Sequence, residues 1–473
     1  MLGGMAMTPL DRVLAYLQSR QETAVNELMG FLRIPTISTD AAHQQDMRTG
    51  AAWLCDRLAR AGFDAARIEE TPGGHPVVRA CYRNRTAAPP RRRVVVYGHY
   101  DVQPVGPIGA WHYPPFSPQI VDGALYARGA ADDKGQLYLQ LLAAEAWLQA
   151  TGDIPVDMEF LFEGEEEIGS PHLPAYLEAH VDDLQADAAV ISDTPMYADD
   201  LPAICYGLRG LAALEVTVRG PQQDLHSGVY GGVVMNPAVV LAKLLGSLHD
   251  DQGRIRVPGF YDDVVPPDPF DWEVIANLPF SEGALKESLG VSKLSGEAGY
   301  STLERMWLRP TLDINGIISG YTGPGEKTII PAEASAKLSC RLVPNQDPRD
   351  IQRKIADYLQ AQAPSGVTVS VQVSAGLAHS VSVPLSDPIM VAARRAVHDT
   401  FGVEPIFMRR GSSMAIIAQF QTLLRQTPLL MGFTGPHDNI HAPNEHFKLT
   451  DFHRGARTIA HLWHYYGQMV ATP

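Results

Sequence analysis

The chain has 473 residues, 45% of them hydrophobic and 19% charged, and 53 Asp plus Glu against 38 Lys plus Arg give a net charge of -15. Such a length fills two or three folding units, and this composition excludes a disordered, collagen-like or coiled-coil protein. The negative balance repels nucleic acid and anionic membrane surfaces, so neither is expected as a partner.

The opening segment, residues 1–9, lacks the basic stretch and apolar core of a secretory signal. Apolar residues at helical spacing (Val13, Leu14, Leu17, Val25, Leu28, Phe31, Leu32) predict a packing helix over 11–32, and a second covers 47–61. After the basic, proline-bearing segment 89–93, the run Val94-Val95-Val96-Tyr97 predicts a strand buried on both faces. Residues 135–150, rich in Leu, Ala and Gln, predict a crossover helix leading to a strand at 156–162, and another strand is expected at 188–191. This rhythm predicts an α/β fold with a mostly parallel sheet flanked by helices.

The character changes near Tyr206. The alternation Leu214-Glu215-Val216-Thr217-Val218-Arg219 predicts a half-exposed strand, followed by a proline-rich stretch at 257–269, strands at 334–343 and 367–373 and a helix at 347–362 between them. These predict a smaller α+β unit. From Pro384 the earlier pattern resumes, with a helix at 387–401, a strand at 429–433 and a final helix at 451–466. The expected organisation is one domain over 1–206 and 386–473, with a second domain, 207–385, inserted into it. No stretch approaches the roughly 18 apolar residues of a spanning helix. Cys55, Cys81, Cys205 and Cys340 are scattered without a CxxC pair, as expected of reduced thiols in the cytoplasm.

The predicted strands of the first domain end in polar clusters, and open α/β sheets bind ligands just beyond the carboxyl ends of their strands. Gly98-His99-Tyr100-Asp101 follows the first strand, Asp132-Asp133-Lys134-Gly135 opens the crossover helix, Glu163-Gly164-Glu165-Glu166-Glu167 follows the second strand and Ser192-Asp193 the third. Asp438 through Glu445, including His441, follows the last. Taken singly, each is explained by an acidic loop or a surface histidine. Together, two His and at least three carboxylates supply the N and O donors of a paired zinc or manganese site.

The segments Gly98-His99-Tyr100-Asp101-Val102-Gln103-Pro104, Arg128-Gly129 through Gly135, Glu163 through Gly169 and His441-Ala442-Pro443-Asn444-Glu445 resemble the signatures of the co-catalytic zinc metallopeptidases. That family includes carnosinases and other cytosolic dipeptidases, carboxypeptidase G, aminoacylase and succinyl-diaminopimelate desuccinylase. The resemblance implies two divalent ions per subunit, zinc first, with manganese or cobalt as substitutes. Asp132 would bridge them, His99 and Asp193 would complete one site, and Glu167 and His441 the other. Glu166 would be the general base, and Asp101 would accept the second ring N–H of His99. A cis peptide between Asp132 and Asp133 is also implied. The inserted domain would be a lid and dimerisation domain, making the protein a homodimer. Asp224-Leu225-His226-Ser227-Gly228 resembles the lid motif whose histidine reaches the partner's site. Arg341 matches the lid arginine that grips a substrate carboxylate, and Ser413 matches a loop residue contacting the same group, although Ser412 stands where the carnosinases have a second glycine.

Asp at position 193 and the long insertion resemble the dipeptidases more than the deacylases. The expected activity is therefore that of a dipeptidase, an exopeptidase acting on dipeptides or short peptides with a free carboxyl terminus. Its nearest rival is an amidohydrolase of N-acyl or N-carbamoyl amino acids. A more distant one is a silent relative that binds metal or peptide, which would be expected to have lost a ligand or Glu166.

Overall fold

The computed structural model describes residues 7–84 and 91–469. Residues 1–6, within the segment read as lacking a secretory signal, and residues 89–90 of the proline-bearing segment lie outside them. The described chain divides into two compact units. One comprises the segments up to Tyr206, Val383–Met408 and from Gln419 onward; the other comprises Gly207–Ser382 and Arg409–Ala418.

The first unit is built on a sheet whose strands run Asp64–Glu69, Val77–Tyr82, Asp157–Glu163, Arg93–His99, Ala188–Ile191, Thr427–Leu430 and Ala203–Leu208 across it. Its centre is parallel: Arg93–His99 lies between Asp157–Glu163 and Ala188–Ile191, and the latter also pairs in parallel with Thr427–Leu430. Antiparallel strands flank that centre. Strands with neighbours on both sides and helices over both faces need apolar residues throughout, and Val94, Val95, Val96 and Tyr97 are all buried. The crossover helix Lys134–Thr151 is buried all round as far as Trp147 and packs on the final helix, Leu449–Gly467. The predicted helix over 11–32 is two helices, Pro9–Ser19 and Gln21–Leu32. Arg20 separates them, its N–H shared between the carbonyls of Tyr16 and Leu17.

The second unit is a four-stranded antiparallel sheet in the order Thr311–Ser319, Glu333–Leu342, Gly210–Arg219, Thr368–Val373. Gly210–Arg219 alternates buried and part-exposed positions, the period-two signature of a sheet covered on one face. Val216, Val218, Leu338 and Leu342 form its core with Leu241 and Leu245 of helix Pro237–Ser247 and Ile351 and Ile355 of helix Pro348–Ala361. Among the described residues no helix is long and apolar enough to cross a membrane.

Candidate metal centre

Parallel strands point their carboxyl ends the same way, so the polar residues that follow them meet at one edge of the first unit's sheet. His99 ends its strand in register with Glu163, whose carboxylate accepts the Tyr97 hydroxyl at 2.5 Å. Gly98 allows the crossover helix to approach, since a Cβ there would lie 3.0 Å from Asp133 Oδ2 and 3.2 Å from Leu137 Cβ. The loop before that helix delivers Asp132 through a cis Asp132-Asp133 peptide. The last segment, beyond Thr427–Leu430, reaches back with Asn439, His441 and Asn444 all in the left-handed region (φ 54°, 62° and 64°). Asn tolerates that conformation. A histidine is less at home there, and strain of this kind persists where surroundings fix the side chain.

Asp132 stands between the two predicted histidine ligands. Its Oδ1 is 3.1 Å from His99 Nε2, and its Oδ2 is 2.9 Å from His441 Nε2. His441 Nε2 is also 3.1 Å from Glu167 Oε2, and His99 Nε2 is 3.9 Å from Asp193 Oδ2. The donors form two groups, His99 with Glu166 and Asp193, and Asp132 with Glu167 and His441, each with its donor atoms within 4.8 Å of one another. Asp101 underlies both: its carboxylate oxygens accept the N–H groups of Glu166 (3.2 Å) and Glu167 (3.1 Å). His99 Nδ1 lies 3.1 Å from the Asp101 carbonyl and 3.3 Å from its Oδ1. The exposed His437 belongs to neither group.

So many acids in one buried place disturb one another. Burial, reinforced by Glu167, Asp132 and Asp101 and opposed by His99, pushes the Glu166 carboxyl up to about 7. Burial and the Asp132 charge push Asp193 well above the usual carboxylate range. Asp132 is buried too, but hydrogen bonds from His441 and His99 prevail and hold it well below that range. Hydrogen bonds to Asp132 and Glu167 raise His441 to about 10. Burial opposes a charge on His99, yet Asp101 and Asp132 outweigh it and lift its pKa well above the usual histidine value.

Carboxylates and imidazoles gathered this closely offer lone pairs to divalent cations, which compete with protons for them. The residues fit such ions: imidazole and carboxylate are zinc and manganese donors, and the buried Glu167 Oε1 has no hydrogen-bond partner. One cation could be held by His99, Asp193 and Asp132, the other by Asp132, Glu167 and His441.

Two supporting residues have no role in the sequence reading. Gln103 donates from Nε2 to Glu167 Oε2 at 2.8 Å. Glu445, fully buried, accepts from Arg128 Nη1 (2.7 Å) and from the N–H groups of Gly129 (3.0 Å), Ala131 (2.9 Å) and Asp132 (3.0 Å). It fastens the segment carrying His441 to the loop carrying Asp132. Both lie within the segments that carry the family resemblance, Gln103 four residues after His99 and Glu445 four after His441, and that placement is the signal that could have found them. Glu445→Gln turns an amide N–H₂ toward groups that are all donors, and it should weaken metal binding about 10- to 100-fold, as losses of supporting partners do. Calorimetric metal titration of the variant checks this, and an unchanged affinity would contradict it.

The remaining predicted residues lie in the second unit. Arg341 Nη1 donates to Ser413 Oγ at 2.9 Å, and Ser413 Oγ donates to the Arg209 carbonyl at 2.6 Å. His226 is exposed in the short strand Leu225–His226, with Nδ1 accepting the Gly228 N–H at 3.0 Å.

Comparison with known proteins gives a consistent result. The model of a family described as peptidase family M20/M25/M40 matches residues 95–465. The chain is 31% identical over 464 residues to the Beta-Ala-His dipeptidase of Homo sapiens, covering 95% of this chain and 91% of that one. It is 29% identical to the Cys-Gly metallodipeptidase dug1 of Schizosaccharomyces pombe, over 96% of this chain and 98% of the other. Among solved structures, the M20 family metallo-carboxypeptidase Sso-CP2 of Sulfolobus solfataricus superposes with a TM-score of 0.83 at 32% identity, covering 94% of this chain and 99% of its own.

Proposed function

The chain belongs to peptidase family M20/M25/M40, and we propose on that footing how its residues divide the work of a metallopeptidase that hydrolyses dipeptides. The observation that carries the reading is the placement of Asp132, one oxygen toward His99 and the other toward His441, with the Glu166 carboxylate in the first of these groups. His99, Asp132 and Asp193 hold one cation; Asp132, Glu167 and His441 hold the second. When bound, two such ions supply Lewis acidity toward a carbonyl and make water a better nucleophile near neutral pH. Zinc is the proposed metal.

Glu166 is the general base. It takes a proton from the attacking water and passes it to the leaving amine. Asp101 keeps it in place by accepting the N–H groups of both Glu166 and Glu167, so that the two adjacent glutamates serve different purposes: one moves protons, the other ligates. Arg341, with Ser413 on its guanidinium, grips the substrate's terminal carboxylate, a task suited to a planar fork of donors. This makes the enzyme an exopeptidase. The scattering of the four cysteines without a CxxC pair supports a cytoplasmic setting.

The second unit is proposed as the lid and the dimer contact. Ile314, Ile317 and Ile318 are exposed on its edge strand Thr311–Ser319, and Val233 and Val239 are exposed at and before helix Pro237–Ser247, a surface suited to a second copy. His226 then acts in the neighbouring subunit, stabilising the oxyanion. Mixing Glu166→Gln with His226→Ala subunits, each inactive alone, should restore part of the activity after subunit exchange, whereas no recovery would put His226 to work within its own chain.

The activity itself is tested by measuring free amino acids released by the zinc- or manganese-loaded protein from a panel of dipeptides and N-acyl or N-carbamoyl amino acids. Release from dipeptides is expected. Release confined to the acylated compounds would make the protein an amidohydrolase instead.

A further inference from the structure

Interior arginines of this chain pair with carboxylates. Arg57 meets Glu145, Arg79 meets Glu159, Arg128 meets Glu445, Arg309 meets Glu297 and Arg409 meets Asp271, all at 2.6 to 2.8 Å. Arg209 and Arg341, both half-buried in the second unit, break the pattern: among the described residues neither has a carboxylate within ion-pair distance. Arg341 donates to the Ser413 hydroxyl. Arg209 spends its guanidinium on carbonyls, with Nε on Gly411 O at 3.1 Å and Nη1 on Arg305 O and Arg309 O, each at 3.3 Å.

The two guanidinium-bearing residues are linked through one hydroxyl, since Ser413 accepts from Arg341 and donates to the Arg209 carbonyl. Arg209 also gives its backbone N–H to Arg410 O at 3.2 Å. Residue 209 therefore holds the segment 410–413 at three points. Its charge is under stress there: burial and then repulsion from Arg341 lower its pKa to about 10, with only Asp313 acting the other way. Like charges, partly desolvated and without a counter-ion, are costly unless an anion joins them. A substrate carboxylate is such an anion, and a neutral carboxamide is not.

We propose that Arg209 is a positioning residue of the carboxylate subsite: it seats Ser413, and its charge, added to that of Arg341, makes the subsite select a free carboxylate over a carboxamide. This rests on the assignment of Arg341 to the substrate carboxylate. Arg209 selects; it takes no part in bond making.

The test uses the metal-loaded full chain and a matched pair of substrates, one dipeptide and its carboxyl-terminal amide. Four forms are compared: the unmodified enzyme, Arg341→Gln, Arg209→Gln, which keeps N–H donors but removes the charge, and Arg209→Lys, which keeps the charge but loses the fork. The unmodified enzyme should favour the free dipeptide, and Arg341→Gln should abolish that preference. Arg209→Gln should lower kcat/KM for the dipeptide about tenfold through KM while leaving the amide unaffected, and Arg209→Lys should keep the preference within about threefold. An equal loss on both substrates, or no change on either, in Arg209→Gln would reduce Arg209 to a structural role and overturn the proposal while Arg341 kept its own. If Arg209→Gln does not fold, loss of the preference in Arg209→Lys would overturn it. Retention of the preference in Arg341→Gln would instead overturn the assignment on which the proposal rests.

Discussion

Glu166→Gln should retain both metal ions and lose about 10²- to 10⁴-fold in kcat, the range that a positioned acid–base group contributes. The substitution is nearly isosteric, so the backbone N–H groups of residues 166 and 167 still find the Asp101 carboxylate and Glu167 keeps its place. What is lost is the ability to accept and return a proton. The measurement must pair turnover with metal content, because Glu166 shares a group of potential donors with His99 and Asp193. A general base leaves the metal count unchanged and carries the whole loss in turnover. Loss of one ion would make Glu166 a ligand, and near-normal turnover would remove it from the chemistry altogether.

Asp132→Ala should cost both ions. Each of the two proposed cation sites includes this one side chain, which meets His99 through Oδ1 and His441 through Oδ2. Its removal leaves each histidine with a single remaining carboxylate from its proposed set, Asp193 or Glu167. Affinity for both cations should fall by at least about 100-fold, the upper end of what loss of even a supporting partner costs, and hydrolysis should fall with it. His441→Ala is the informative contrast, since it should weaken one ion more than the other. Retention of one tightly held ion in Asp132→Ala would mean that the carboxylate does not bridge.

The centre of the sheet was legible because its strands are buried on both faces and so spell themselves as unbroken apolar runs. Ala188–Ile191 is found where the sequence places it, and Arg93–His99 extends the predicted core by one or two residues at each end. The flanking strands Asp64–Glu69 and Val77–Tyr82 were not legible. Val77–Tyr82 carries Arg79 into the interior, where it looks like a surface residue in sequence but meets Glu159 of the neighbouring strand at 2.8 Å. Pairing across strands removes the signal that alternation would have given. The crossover helix hides its burial in the same way: Gln136 donates to Ala131 O and accepts from Phe433 N–H, and Gln140 donates to Ser192 Oγ. In the second unit, Asp313, Asn315 and Gly316 interrupt the apolar pattern of Thr311–Ser319, and pairing with Glu333–Leu342 makes it a strand nonetheless.

The candidate site was legible for a different reason. Its donors are short segments at strand ends, where residue type and order survive without knowledge of packing, and the resemblance of those segments to a known family implied the individual residues and their roles. His99, Asp101, Asp132, Glu166, Glu167, Asp193 and His441 do come together within the first unit. Glu445 and Gln103 were silent because their partners are backbone N–H groups and another residue's carboxylate, relationships that only the folded chain creates.

The most direct measurement titrates metal-free protein with zinc, and separately with manganese, while counting bound ions and following hydrolysis of a dipeptide in the same samples. Two ions per chain, with hydrolysis appearing as they bind, is the predicted result. Saturation at a single ion, or full loading without cleavage of any dipeptide, would contradict the assignment of these residues to a two-metal dipeptidase centre.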